Sequence, residues 1–176
     1  MLAPAPHAGL GLISQLFAYP ERDLAPGAMP AGMAAEAETL VAGMNRIELV
    51  RRQNEYVRLF INALPEVPCA PYGSVYLEGA LMGESTVWVG ELYRKYGLAT
   101  TELADHIAVE SEFLAWLHGA ALNDEAARQD YDALLAHLLE WTGTFFAQVE
   151  QHDQLGCYRQ SALLARAILA ESAGGG

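Results

Sequence analysis

Apolar residues recur at three- and four-residue intervals along most of this chain, a spacing typical of helices that bury one face. Leu10, Ile13 and Phe17 predict a first helix, which ends at the proline that follows them. A loop rich in glycine and proline is expected over residues 21–32. Residues 31–44 predict a weak, alanine-rich second helix.

The third predicted helix is stronger, because its apolar positions keep helical spacing over a long stretch: Ile47, Val50, Val57, Phe60, Ile61 and Leu64. The opposite face of this helix carries charged residues: Arg46, Glu48, Arg51, Arg52, Glu55 and Arg58. Pro65, Pro68 and Pro71 follow. A proline lacks an N–H group and clashes with the preceding helical turn, so the helix must end at this stiffened loop.

Two serines and a glycine mark the limits of the next two predicted helices. Ser74 is a predicted N-cap for a short helix over residues 75–80. Ser85 is a predicted N-cap for a longer helix with apolar and aromatic residues on it: Trp88, Val89, Leu92, Tyr93 and Tyr96. Gly97 ends that helix at the usual position of a left-handed cap.

Three further helices are predicted in the second half of the chain. The first begins at His106, runs to about Leu122 and turns three residues inward: Ile107, Leu114 and Leu117. The longest begins at residues 123–125 and buries one stripe: Tyr131, Leu134, Leu135, Leu138, Thr142, Phe145, Phe146 and Val149. A turn over residues 151–156 leads into a last helix, 157–172.

No stretch alternates cleanly between apolar and polar residues, so the sequence predicts no strand. The expected fold class is all-α: a single-domain helical bundle of about seven to nine helices. This domain is predicted to span residues 1–172, with residues 173–176 as a flexible tail. A chain of 176 residues is long enough to build a hydrophobic core without disulfides or metal.

The formal net charge of −12 argues against a nucleic-acid partner. Most of this charge lies between Glu102 and Asp153, where Arg128 is the only Lys or Arg. That half of the chain is either a solubilising face or a surface that steers a cationic partner. No apolar window is long enough to span a membrane, and no basic residue precedes the N-terminal apolar stretch, so we expect a cytoplasmic protein.

The motifs of common enzyme and metal sites are missing from the sequence. Cys69 and Cys157 lie far apart and predict buried or unpaired thiols rather than a bridge. The chain lacks the paired Glu-x-x-His spacing of a two-metal bundle, the glycine-rich loops that cradle phosphate and the G-x-S-x-G turn of hydrolases. The sequence therefore predicts no catalytic residues, no metal ligands and no cofactor.

Tyr72 and Tyr76 stand out in the proline-rich stretch over residues 68–79. They share one face if Ser74 opens a helix. Tyrosine combines an apolar ring with a polar tip, which suits the wall of a peptide groove. The alternative is a loop packed on the bundle with both rings as cover.

A second polar cluster lies at a predicted helix start, in residues 102–117. Asp105 is a predicted cap of the helix that begins at His106. His106 and Glu110 lie four residues apart, so they share a face on which they can hydrogen-bond. Glu110 also falls on the inward stripe, where a carboxylate is costly unless it is paired. The pair therefore either joins two helices internally or lines a groove that receives an arginine or a peptide amide.

The two stretches together resemble the TorD/DmsD/NarJ-type redox-enzyme maturation chaperones over roughly residues 10–170. The matching positions are Tyr56, Leu59, Phe60, Pro68, Pro71, Tyr72, Ser74, Val75, Tyr76, Asp105, His106, Ile107 and Glu110. Trp141, Phe145 and the last helix fit the C-terminal part of the family. Gly73 stands where the family often has Glu, and Ala104 where it has Pro; the second change removes a backbone constraint before the helix.

The resemblance implies an all-helical, cytoplasmic and non-catalytic chaperone without a cofactor. Its implied partner is the catalytic subunit of a molybdenum-cofactor oxidoreductase, bound at its twin-arginine leader or its folded body, so that export waits for cofactor insertion. The implied peptide-binding residues are Tyr72, Tyr76, Asp105, His106 and Glu110. Supporting residues are Phe60, Pro71, Ser74, Trp88 and Trp116.

Two other functions remain open at the level of sequence. A helical metal-dependent enzyme would use His106, Glu110 and His137. A non-catalytic helical scaffold would use the acidic face for solubility alone. The sequence also leaves open whether the protein is a monomer or a homodimer, and it predicts neither nucleic-acid binding nor direct membrane insertion.

Overall fold

The structure, a computed structural model, describes residues 7–25, 27 and 32–174. Eight α-helices lie in these ranges: α1 (His7–Phe17), α2 (Ala34–Arg46), α3 (Leu49–Tyr56), α4 (Gly73–Glu78), α5 (Glu84–Lys95), α6 (Ile107–Ala121), α7 (Glu125–His152) and α8 (Cys157–Gly174). A π-helical segment, Val57–Ile61, continues α3. The described ranges contain no strand, only one isolated bridge, and the predicted all-α bundle is confirmed.

The core forms where α1 packs against α6 and α8, and where α7 packs between α6 and α8. At its centre, Phe17 of α1 meets Phe145 and Phe146 of α7 at ring distances of 5.4 and 5.8 Å. Phe60 closes the cluster at 6.0 Å from Phe145. The whole predicted stripe of α7 is buried. The periodicity therefore identified the buried face of the longest helix correctly.

The predicted faces of α3 are partly wrong. Arg52 and Glu55, assigned to the charged face, are buried, whereas Val50 is more than half exposed. The buried stripe instead runs through Arg52, Glu55, Tyr56 and into the π-helical segment, and each buried charge has a partner. Arg52 pairs with Asp23 at 2.5 Å, and Glu55 accepts hydrogen bonds from Arg58 and the amide of residue 154.

Leu64 also lies outside the expected helix. The π-helical segment ends at Ile61, and Leu64 is 96% exposed in the loop that follows. Leu64 kept the helical spacing of apolar residues only by coincidence. The chain leaves the helix after Ile61, before Pro65.

Several predicted helix limits shift by a few residues. Ser85 does not cap α5 with its hydroxyl; the helix begins at Glu84, and the Glu78 carboxylate accepts the Ser85 amide at 3.0 Å. Gly97 has a φ of 68°, which confirms the left-handed cap. The last helix continues to Gly174, so residues 173 and 174 are helical rather than part of a tail. Residues 175–176 and residue 31 of the predicted second helix lie outside the described ranges.

Both cysteines are free and buried, which confirms the predicted unpaired thiols. Burial raises the pKa of the Cys69 and Cys157 thiols to about 12. Thiols with such pKa values remain protonated near neutral pH and are poor nucleophiles.

Candidate functional site

The two informative stretches of the sequence meet in space. Tyr72 and His106 form an isolated antiparallel bridge. The Ile107 amide donates to the Pro71 carbonyl at 2.9 Å, and the Gly73 amide donates to the Asp105 carbonyl at 2.9 Å. This junction fixes the proline-rich loop and the start of α4 against the start of α6.

Asp105 caps a helix, but not the predicted one. Its Oδ2 accepts the Ser74 amide of α4 at 2.9 Å, and the residue is fully buried. The Ser74 hydroxyl, the predicted cap of this helix, has no hydrogen bond partner. A carboxylate is a stronger acceptor than a hydroxyl at a helix start, since it carries charge. Asp105 therefore ties α4 to the chain just before α6.

His106 is the N-cap of α6. Its Nδ1 accepts the Ala108 amide at 3.1 Å, which requires an unprotonated Nδ1. The ring meets Tyr72 edge-on at 5.1 Å. Burial lowers the pKa of His106 to about 4, although Glu102 and Asp105 act in the opposite direction. His106 is therefore a neutral capping residue at physiological pH.

Glu110 pairs with His137 rather than with His106. Glu110 Oε1 lies 3.0 Å from His137 Nε2, and Glu110 is fully buried. The predicted His106–Glu110 bond is wrong because the His106 ring is committed to its cap. The sequence grouped Glu110 with His137 only as residues of a metal-dependent enzyme and did not predict their direct bond, since the two residues lie 27 positions apart on α6 and α7. The available signal was a histidine within the buried stripe of α7.

The pKa of each member of the Glu110–His137 pair lies above its ordinary value. Burial raises the pKa of Glu110, and the hydrogen bond with His137 only partly offsets this. Burial lowers the pKa of His137, but the hydrogen bond and the charge of Glu110 raise it overall. The Trp141 indole N–H also acts to lower the pKa of Glu110, although it makes no hydrogen bond of standard geometry. The pair joins α6 to α7 through a buried polar contact.

Tyr72 and Tyr76 are both partly buried, but they lie in different surroundings. The Tyr72 hydroxyl donates to Glu102 Oε1 at 3.4 Å. The Tyr76 ring stacks on Trp141 at 5.6 Å, and its hydroxyl donates to Gln148 at 2.8 Å. Tyr72 thus borders the start of α6, whereas Tyr76 anchors α4 on α7.

The supporting residues divide into two groups. Phe60 belongs to the core, and Pro71 and Ser74 take part in the junction through their backbone atoms. Trp88 of α5 lies 5.2 Å from the His137 ring and remains 37% exposed. Trp116 packs on Tyr96 at the far end of α5. The structure therefore brings Trp88 to the site and not Trp116.

Gly73 allows α4 to lie directly on α7. A Cβ atom at this position would stand 3.0 Å from Trp141 Nε1 and 3.3 Å from His137 Nε2. Both contacts are closer than ordinary van der Waals distances. A larger residue here, such as the Glu that the resemblance led us to expect, requires a wider separation of the two helices. Ala104, the other departure, is buried in the bundle.

An exposed apolar surface lies beside this junction. We call it the α4–α5 surface, and its members are Leu77, Leu81, Met82, Val87 and Trp88. Met82 has a φ of 62°, which is unfavourable for a side chain other than glycine. Four exposed residues share one face of α5: Glu84, Val87, Trp88 and Glu91. The two glutamates flank the two apolar residues. The sequence did not reveal this surface, because its periodicity placed Leu77, Val87 and Trp88 on helices but did not predict which side of each helix is exposed.

The described residues contain no group of three or more His, Cys, Asp or Glu side chains arranged to hold a metal ion. Within the same ranges, no helix has the length and apolar character needed to cross a membrane.

Comparison with known proteins identifies the family. The family model described as nitrate reductase delta subunit matches residues 27–147. No curated protein matches this chain. A crystal structure from Archaeoglobus fulgidus, provisionally described as a redox enzyme maturation protein, is 28% identical. It matches 98% of this chain and 96% of its own, with a TM-score of 0.68. These findings confirm the resemblance seen in the sequence: the chain belongs to the nitrate reductase delta subunit family of redox-enzyme maturation chaperones.

Proposed function

We propose that this protein is a cytoplasmic, non-catalytic chaperone that binds the twin-arginine leader of a molybdenum-cofactor oxidoreductase subunit. Binding delays export of the client until its cofactor has been inserted. The family assignment supports the chaperone class. The leader and the kind of client are this proposal's own additions, and they depend on the chemistry of the α4–α5 surface.

The observation that carries the proposal is the match between this surface and a leader. A twin-arginine leader offers two guanidinium groups followed by an apolar stretch. The α4–α5 surface offers exposed apolar side chains, and Glu84 and Glu91 flank Val87 and Trp88 on the same stripe. Carboxylates accept arginine hydrogen bonds in a fork geometry that lysine cannot reproduce. An apolar segment with adjacent arginines therefore fits better than a purely apolar or purely basic one.

The residues identified from the sequence lie under and beside this surface. Tyr72 precedes α4 and Tyr76 lies on it, and we assign both to the walls of the leader site. Asp105, His106 and Glu110 are buried, so we assign them the role of holding α4, α6 and α7 in register. Trp88 contacts the Glu110–His137 pair through His137, which links the exposed surface to the buried polar contact.

Long-range charge also favours a basic client segment. The stretch from Glu102 to Asp153 carries most of the net charge of −12. Such a field speeds the encounter with a cationic partner, and salt screens it. We therefore expect the association rate for a leader peptide to fall as the ionic strength rises, measured by stopped-flow fluorescence between 20 and 500 mM salt, concentrations at which the Debye length falls from roughly 20 to roughly 4 Å.

Trp88→Ala should weaken leader binding by roughly 2 kcal/mol, about 30-fold, because a partly exposed tryptophan at the centre of an apolar patch is a typical binding hot spot. The measurement is calorimetric titration with leader peptides of molybdoenzymes from the same genome. Each leader is compared with a variant in which both arginines are replaced by lysine, and the variant should bind at least tenfold more weakly if both forks are used.

Trp116→Ala is the matched control, since Trp116 of α6 is exposed to a similar extent but packs on Tyr96, at the opposite end of α5 from the proposed site. It should bind leaders as the wild type does. Equal losses of leader affinity in the two variants would mean that the leader does not bind at the α4–α5 surface. The absence of binding to every leader tested would contradict the proposed function itself.

A further inference from the structure

Several buried oxygen atoms around α4 lack hydrogen bond partners among the described residues. They lie on α4, on the start of α5, and at and near the start of α6: Ser74 Oγ, Thr86 Oγ1, Asp105 Oδ1 and Glu110 Oε2. Most buried polar groups in proteins are paired, and an unpaired one destabilises the arrangement that buries it. The closed position of α4 therefore carries a penalty that another arrangement can relieve.

The attachment of α4 depends on few contacts. A helix of only six residues has little stability of its own. Both amides at its start, those of Gly73 and Ser74, donate to Asp105. Two side chains of α4 make further hydrogen bonds: the Tyr76 hydroxyl donates to Gln148 of α7, and the Glu78 carboxylate accepts the Ser85 amide of α5. A group that competes for the Asp105 carboxylate would free the Ser74 amide and leave the start of the helix held by the single bond from the Gly73 amide to the Asp105 backbone carbonyl.

The turn that follows α4 is also under strain. Met82 adopts a positive φ, and the Glu78 carboxylate lies over Gly83 and accepts the Ser85 amide. This contact couples the end of α4 to the start of α5. Movement of α4 is thus transmitted to the exposed apolar side chains of the turn, Leu81 and Met82.

We infer that α4 and the turn over residues 79–83 form a displaceable lid above this polar cluster, and that the client leader binds the state in which the lid is lifted. The inference rests on the proposed leader binding. Lifting the lid uncovers the unpartnered oxygens of Asp105 and Glu110, which have no exposure while it is closed. A guanidinium group supplies the hydrogen bond donors that these oxygens lack.

If α4 is such a lid, variants that weaken its attachment should bind the leader more tightly. If only a small fraction of molecules is open, the apparent dissociation constant falls as that fraction rises. Gln148→Ala removes the tie to Tyr76 without changing α4, and it should raise leader affinity about fivefold, the usual worth of one hydrogen bond. Gly73→Ala places a methyl group against Trp141 and should act in the same direction. Gln151→Ala, an exposed glutamine on the same helix, is the matched control and should have no effect.

Amide hydrogen exchange tests the lid directly. Addition of the leader should speed exchange at Gly73 and Ser74, because both amides lose Asp105 as an acceptor. Slower exchange at these amides, together with unchanged or weaker binding by Gln148→Ala and Gly73→Ala, would overturn the lid and leave surface docking intact.

Failure of the proposed function is distinguishable from failure of the lid. If no leader binds any variant, the proposed function fails, and exchange in the free protein decides the inference. Gln148→Ala should then exchange Gly73 and Ser74 several-fold faster than Gln151→Ala does. Equal rates in the two variants would refute the lid.

Discussion

Glu110→Ala should lower the free energy of unfolding by about 3–5 kcal/mol, the usual cost of removing one partner from a buried polar pair. His137 would lose its partner while its side chain stays about nine-tenths buried, and a cavity would open between α6 and α7. Small domains have roughly 5–15 kcal/mol of stability in total, so this change would leave a marginally folded protein. Urea denaturation followed by far-ultraviolet circular dichroism provides the measurement.

Two control variants separate the pair from its surroundings. Glu110→Gln keeps the shape of the side chain and a hydrogen bond to His137, and it should cost about 1 kcal/mol. Glu112→Ala removes an exposed carboxylate from the same helix and should change stability by less than about 0.5 kcal/mol. A loss for Glu110→Ala no larger than that for Glu110→Gln would mean that the pair does not hold the two helices together.

The second large effect is a loss of stability in mild acid that depends on His106. Its pKa is about 4 in the folded protein, against an ordinary value of 6.5. Between these pH values the unfolded chain binds a proton at this position and the folded chain does not. The free energy of unfolding therefore has its full contribution from His106 above pH 6.5, and this contribution falls as the pH drops toward 4. The loss from this residue reaches about 2 kcal/mol at pH 5 and roughly 3 kcal/mol below pH 4.

His106→Asn isolates this contribution. Asparagine is a good N-cap and does not titrate, so the variant keeps the bond to the Ala108 amide at every pH. The difference in unfolding free energy between pH 7.5 and pH 5.0 should be smaller in the variant than in the wild type by about 2 kcal/mol. Equal pH dependence of the two proteins would show that His106 is not buried as a neutral ring.

The fold was predictable to the extent that burial follows helical spacing. The stripe of α7 from Tyr131 to Val149 was correct because an apolar face on a long helix has no alternative to the core. The same rule failed on α3, since it treats every charge as exposed. Arg52 and Glu55 are buried with partners from distant parts of the chain, and no local pattern contains those partners.

The site was predictable in location but not in its contacts. The sequence identified Asp105, His106 and Glu110 as a polar cluster, and all three are buried where α4, α6 and α7 meet. Their partners were wrong or missing, because each bond except the His106 cap crosses a long stretch of sequence. Asp105 binds the amide of Ser74 and Glu110 binds His137. Local spacing indicates which residues share a face, but tertiary packing decides which of them meet.

The three tryptophans occupy three different environments, so intrinsic tryptophan fluorescence can report on each part of the protein separately. Trp141 is 1% exposed under α4, whereas Trp88 and Trp116 are 37% and 43% exposed. With the other two replaced by phenylalanine, Trp88 emission should shift to shorter wavelength when a ligand covers the α4–α5 surface. Trp141 emission should stay constant until the helix above it moves. Fluorescence of single-tryptophan variants can therefore time surface contact and helix movement separately in one mixing experiment.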